Sequence, residues 1–197
     1  DFASRLMEEE GIFYFFKHTA DGHEMVITNS MTGHPDLPIE KKLLYEDVAG
    51  GNRGEQRILR WDKIQEIRSG KVSLFDHCFE LPHKHLEADK TIADSVKVGT
   101  ITHKLKYGDV AKLEQYDFPG GYAQRFDGID PGGSTQPSEV QKIFDDNKRT
   151  VDLRMQEEAA EAIIIDGGGN CGEMSAGFTF TLDRHFDANG DYVLTSI

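Results

Sequence analysis

The chain has 197 residues, 38% hydrophobic and 29% charged, with twelve Phe and a formal net charge of −13. That composition supports a buried core and one or two domains of about 100–200 residues each, and it excludes a wholly disordered chain. The negative balance argues against unaided binding to nucleic acid or an anionic membrane, which demands a positive field.

No apolar run approaches the roughly 20 residues of a membrane span, and no charged-then-apolar leader opens the chain. The first residue is Asp rather than Met, which suggests a piece of something longer. Cys78 and Cys171 are too few for a disulfide framework and read as reduced, buried thiols in a protein made in the cytoplasm.

Residues 1–16, DFASRLMEEEGIFYFF, read as helix, stop, strand. Phe2 and Leu6, with Ala3 and Met7 beside them, form the apolar stripe of a short amphipathic helix. Gly11 is placed to take the left-handed conformation that ends it. The glutamates at 8–10 sit at the unfavourable end of the helix dipole and ask for a cation or a helix N-terminus nearby. Residues 12–16 are apolar at every position, so this strand is expected to be covered on both faces, its aromatics serving as core and not as a ligand platform.

Asp21-Gly22 forms a turn, and residues 24–28 return as the second strand of a hairpin. Residues 29–57 read mostly as loop, apart from a short strand at 42–46. Residues 58–67 around Trp61 and residues 72–81 are expected to pair as a hairpin across the turn formers at 68–71. The charged stretch 82–100 has no sustained period and reads as a solvated excursion. Two strands are expected at 100–107 and 110–118 about a turn at Gly108-Asp109. Residues 119–137 read as a long loop rich in turn formers.

Ser138-Glu-Val-Gln141 has the form of a capping box and predicts one long helix. Val140, Phe144, Val151, Met155, Ala159 and Ala162 give it an apolar stripe over about 25 residues, or about 37 Å, which calls for lengthwise packing. A β-branched run from 162 to 166 follows, Gly167–Asn170 turns it, and residues 177–182 and 192–197 alternate as strands. No fixed-period repeat is present. The expected class is α+β, mainly β, with an antiparallel barrel or sandwich as its core.

Three groups carry candidate chemistry. Asp76, His77, Cys78, Glu80, His83 and His85 have donors suited to zinc or another transition metal, and they are the basis of an alternative reading as a metal-dependent hydrolase. Their spacing matches no standard zinc module. On a strand, Asp76 and Cys78 face one way and His77 the other, so the favoured reading is a strand end and a wet loop without a metal. Asp187-Ala-Asn189-Gly190-Asp191 imitates a calcium loop but lacks its sixth-position glycine, and reads as a hairpin turn. Residues 163–170 have a strand and glycines, but no helix follows to hold a phosphate. No nucleophile elbow, His-Glu-x-x-His or P-loop occurs, and no pair of carboxylates stands out, so no catalytic, cofactor or metal residue is assigned.

Five pieces in order resemble the VgrG family of type VI secretion spike proteins and, more distantly, the tail hubs of contractile phages. They are the opening DFASRLMEEEGIFYFF, the Trp61 segment with SGKV at 69–72, YDFPGGY at 116–122, the helix across Arg149–Ala159, and the run from Asn170-Cys171 through AGFTFTL at 176–182 to His185 and YVLTS at 192–196.

The resemblance implies an antiparallel β-barrel of the phage-tail-hub type with a helix-containing connecting layer. Residues 58–118 and 162–197 would form the second hub barrel, and 1–57 with 119–161 the connecting layer; the first barrel, neck and needle would be absent. It further implies a structural homotrimer and not an enzyme. Such a hub joins the hexameric secretion tube to the needle, meets spike-tip and effector proteins, and touches membrane only by puncture through the complete spike. The expected location is the bacterial cytoplasm during assembly, then secretion or injection without a signal peptide. On this reading the helix stripe of Phe2 and Leu6 awaits a preceding barrel and is not buried within the chain.

Overall fold

The computed structural model describes residues 1–38, 40–47, 56–78, 81–123 and 137–197, the side chains of 137–140 apart. Two helices are described, α1 (Phe2–Glu9) and α2 (Pro137–Ala160). The strands in order are β1 (Phe13–Thr19), β2 (Gly22–Thr28), β3 (Lys42–Tyr45), β4 (Arg57–Gln65), β5 (Lys71–Asp76) and β6 (Leu86–Thr91), then β7 (Ser95–Val98), β8 (Ile101–Lys104), β9 (Glu114–Asp117), β10 (Ile163–Gly169), β11 (Thr179–Asp183) and β12 (Gly190–Val193). The fold is α+β and mainly β, with sheet curled into a half-barrel.

The contacts divide the chain into two units, Asp1–Ile64 with Ser95–His103 and Ile164–Ile197, and Gln65–Asp94 with Lys104–Ile163. These limits fall elsewhere than the barrel and layer limits that the resemblance implies.

In the first unit, α1 stops where the sequence predicts. Gly11 takes φ +67, its N–H bonds the Glu8 carbonyl, and the Ile12 N–H bonds that of Met7, which is the double closure of a Schellman motif. Strands β1 and β2 then pair antiparallel over seven positions about the tight turn Ala20-Asp21.

The main sheet has the order β10-β4-β3-β11-β12. Strands β11 and β12 form the expected antiparallel hairpin, but β3 runs parallel to both β11 and β4, so the sheet is mixed and not wholly antiparallel. Its core consists of Leu37, Leu43, Ile58, Phe180, Leu182 and Ala188, with Trp61 and Tyr192 packed against them. The glycines at 167–169, expected as a turn, lie within β10. A Cβ at Gly169 would strike the Arg57 carbonyl, so glycine there permits the close approach of β4.

The second unit holds the sheet β6-β5-β9 and α2. The hairpin expected between 58–67 and 72–81 does not form: β4 and β5 belong to different sheets. Gly70 explains the misreading. Its N–H bonds the Leu113 carbonyl, its own carbonyl accepts from Ile92 N–H, and an added Cβ would strike the Val110 backbone. The glycine therefore serves close packing and not a reversal.

The stretch 82–100, expected as a solvated excursion, contains β6 and β7. Strand β6 pairs antiparallel with β5 over six positions, and only Leu86 and Ala88 turn inward, too few to show a period. At 110–118 the chain makes a 3-10 turn, Val110–Lys112, before β9, which joins β5 in parallel. The helix expected from the capping box is α2, which already includes Pro137; the Ser138 side chain lies outside the described residues, and Gln141 donates to Asp145 at 3.1 Å. Ile143, Asn147, Val151 and Met155, each four apart, form its buried face, and Ile143, missed in the expected stripe, has no solvent exposure. The glycine-rich 50–54 and most of the loop expected at 119–137 lie outside the described residues.

Replacing Ile143 with Ala is expected to cost about 2–5 kcal/mol in chemical denaturation, since the methyl groups removed leave a cavity in a closed core. Glu114 supplies a pH test. It accepts from Ser73 Oγ and meets Lys71 Nζ at 3.0 Å, and these bonds, Ser73 first, hold its carboxyl below the ordinary glutamate value. A depressed carboxyl contributes stability that is present above its unfolded value and lost as pH falls through the folded one. Glu114→Gln should thus lower the unfolding midpoint at neutral pH, with the deficit closing on acidification below about pH 4.

Candidate assembly surface

The side chains singled out for metal chemistry go separate ways. The buried Asp76 carboxylate accepts His77 N–H at 2.9 Å through Oδ1 and Ala123 N–H at 3.0 Å through Oδ2. Cys78 is a free thiol packed in the second unit's apolar core, while His77, His83 and His85 are exposed. Glu80 lies outside the described residues. Among those described, no group of three or more metal-ligating side chains converges. The hydrolase reading therefore finds no assembled centre in Asp76, His77, Cys78, His83 and His85. The calcium-like run at 187–191 spans the end of the turn between β11 and β12 and the first two residues of β12, and Asn189 Oδ1 accepts His185 N–H at 2.8 Å.

The motif residues do converge, into core. In the first unit the Trp61 ring stands edge-on to Tyr192 at 4.8 Å and to Phe180 at 6.3 Å, and His185 lies 4.4 Å from Tyr45 between ring centres. His185 is buried, its Nδ1 accepting the backbone N–H of Ala188 at 3.1 Å and of Asp187 at 3.3 Å. In the second unit the YDFPGGY motif ends in Tyr122, which is fully buried and donates its hydroxyl to the Leu86 carbonyl. Burial raises the Tyr122 pKa, with the Asp76 charge adding to it, so the hydroxyl remains a donor. These motif residues build the cores of the fold.

The β1–β2 ribbon is one surface that stays open to contact. One face lies against the first unit: Phe15 is buried, Phe13 and Phe15 stack on His34 at 4.8 and 5.6 Å, and Phe15 meets Phe178 edge-on. His34 in turn holds the Gly177 carbonyl through Nδ1 at 2.8 Å. The other face carries Tyr14 opposite Ile27 and Phe16 opposite Met25. These four are 38–57% exposed, so the expectation that both faces of this strand are covered is overturned. Its residues are apolar at every position because one face is core and the other is unfilled surface. The period-two pairs Tyr14/Phe16 and Met25/Ile27 were the signal available in the sequence.

Helix α1 adds to this surface. It buries no residue; Ser4 and Met7 are half-buried, with Ser4 Oγ 3.3 Å from Tyr14 Oη, while Phe2 and Leu6 are 69% and 44% exposed. Exposed aromatic and aliphatic side chains grouped in this way mark contact surfaces.

The ribbon's seat rests on Gly177, which has φ +90 and where a Cβ would enter the Phe15 ring. Gly177→Ala is expected to destabilise the chain by about 1–3 kcal/mol. It should also accelerate amide exchange across residues 13–28 more than in the second unit.

The comparisons agree with these structural roles. The phage tail baseplate hub (GPD) family matches residues 1–197. Over 128 residues, 65% of this chain, the sequence is 34% identical to the type VI secretion system spike protein VgrG1b of Pseudomonas aeruginosa, and 30% identical to VgrG1c and to VgrG1a of that organism. Those matches span 16%, 16% and 18% of the relatives, so the chain corresponds to less than a fifth of their length. With its match over the full chain, the protein belongs to the phage tail baseplate hub family.

Proposed function

We propose that this chain is a structural part of the trimeric hub of a type VI secretion spike, the piece that helps join a hexameric secretion tube to a needle. The observation that carries the reading is the family match over residues 1–197, with identity to several VgrG spike proteins. Burial of the motif residues within two cores supports a scaffolding role and not a catalytic one.

In this reading residues 58–118 and 162–197 belong to the second hub barrel, and 1–57 with 119–161 to the connecting layer. The outward ribbon face of Tyr14, Phe16, Met25 and Ile27 is a surface that assembly covers. Spike-tip and effector proteins are the further partners, and the protein assembles in the cytoplasm before secretion or injection. No helix among the described residues is long and apolar enough to cross a membrane.

Light scattering of the full-length protein tests the proposal: a trimer is expected, and monomers alone at high concentration would overturn it. The double substitution Phe16→Asp, Ile27→Asp should leave the circular dichroism of the full-length protein unchanged while weakening trimer formation by at least about tenfold, a modest loss for two desolvated contacts.

A further inference from the structure

At the turn end of the ribbon, the outward face finishes in a histidine pair that the scaffold role does not use. His18 and His23 lie directly opposite each other on β1 and β2, one step beyond the Phe16 and Met25 pair. Directly opposed residues on antiparallel strands have Cβ atoms about 4.5–5.5 Å apart, so both imidazoles project from neighbouring points on one side of the ribbon. Their ring centres are 6.3 Å apart, with the planes inclined at 50°. Both side chains are exposed, and among the described residues neither ring nitrogen has a hydrogen-bond partner. The Phe16 ring lies 6.4 Å from His18 and 6.1 Å from His23, giving the pair an apolar neighbour. Lys17 and Glu24 oppose each other on the reverse face, so the Lys17 ammonium does not crowd the space between the rings.

We propose that His18 and His23 chelate a divalent transition-metal ion of the borderline class, Zn2+, Ni2+ or Cu2+. Two imidazoles on one tetrahedral ion, with metal–nitrogen bonds of about 2.0–2.1 Å, place their ring centres about 5 Å apart. The observed spacing thus needs an inward movement of about 1 Å, within the reach of side-chain rotation at exposed positions. Neutral imidazole is a preferred ligand for these ions, and affinity rises toward Cu2+. Water fills the remaining coordination positions. The ion ties β1 to β2 across the turn, and a two-stranded ribbon, marginal by itself, is the element that gains most from such a tie.

The experiment is calorimetric titration of the metal-free full-length protein with Zn2+ and with Cu2+, in parallel with His18→Gln, His23→Gln and the double variant. The wild type should bind one ion per chain at this site, Cu2+ more tightly than Zn2+. Each single variant should lose at least about tenfold in affinity, because chelation depends on two donors held close together. The double variant should lose the site while keeping its circular dichroism. Slower amide exchange across residues 16–25 on adding Zn2+ to the wild type alone would place the ion on the ribbon. A double variant that binds with wild-type stoichiometry and affinity, a single variant that retains full affinity, or a wild type that takes up neither ion would overturn the proposal.

Discussion

Strand β3 is four residues long, and both of its edges are occupied, by β4 on one side and β11 on the other, each in parallel. Leu43 at its centre has no exposure to solvent. The pairing extends beyond the strand: Leu37 N–H bonds the Thr179 carbonyl, Thr179 N–H that of Pro35, and Thr181 N–H that of Lys41. Residues 35–37 and 41–44 are thereby zipped along the C-terminal part of the chain. His34 immediately precedes that zipper and Gly177 lies two residues before the start of β11, which is why they meet. Their junction is the seat of Phe13 and Phe15, so the placement of the ribbon follows from a parallel pairing made far from it in sequence.

Local signals were legible where local forces decide. Gly11 stops α1 because only a residue free to take positive φ closes a helix this way, and that can be read from one residue and its neighbours. The β1–β2 and β11–β12 hairpins likewise follow from short turns between alternating runs. Partner choice was not legible. The turn formers around Gly70 looked like a reversal because a glycine needed for close approach to Val110 has the same appearance in sequence as one needed for a turn. Strand β6 was missed because α2 covers only one of its faces, leaving Glu87 and Asp89 in solvent. The described members of the candidate metal group part for a related reason: adjacency along an extended chain sends successive side chains to opposite sides, and Cys78 lies in the core.

The motif residues illustrate why recognisable sequence need not mark reactive chemistry. Trp61 lies far upstream of Phe180, His185 and Tyr192 but meets them in one aromatic cluster. Polar members such as His185 and Tyr192 use their heteroatoms on nearby backbone, Tyr192 donating its hydroxyl to the Ala188 carbonyl at 2.5 Å. A buried polar ring costs free energy unless it finds such partners, so substitutions at His185 and Tyr192 are constrained by satisfaction as well as by shape. The Trp61 Nε1–H, by contrast, is buried without a partner among the described residues. These demands arise within one unit and suffice to explain the cluster without a ligand.

Charge then narrows where copies of so acidic a chain can meet. At a net charge of −13, contact between like surfaces is opposed wherever carboxylates come within the roughly 8 Å over which salt leaves them unscreened. The exposed end of α1 is a poor candidate for self-contact, because Glu8 and Glu9 crowd a helix terminus that has no basic residue in its last turn. The outward ribbon face differs: Tyr14, Phe16, Met25 and Ile27 carry no charge, and Lys17 and Glu24 oppose each other on the reverse side. Covering this face brings apolar surface together without stacking carboxylates. Electrostatics and the hydrophobic effect therefore favour the ribbon over the helix end as the contact surface of the proposed trimer.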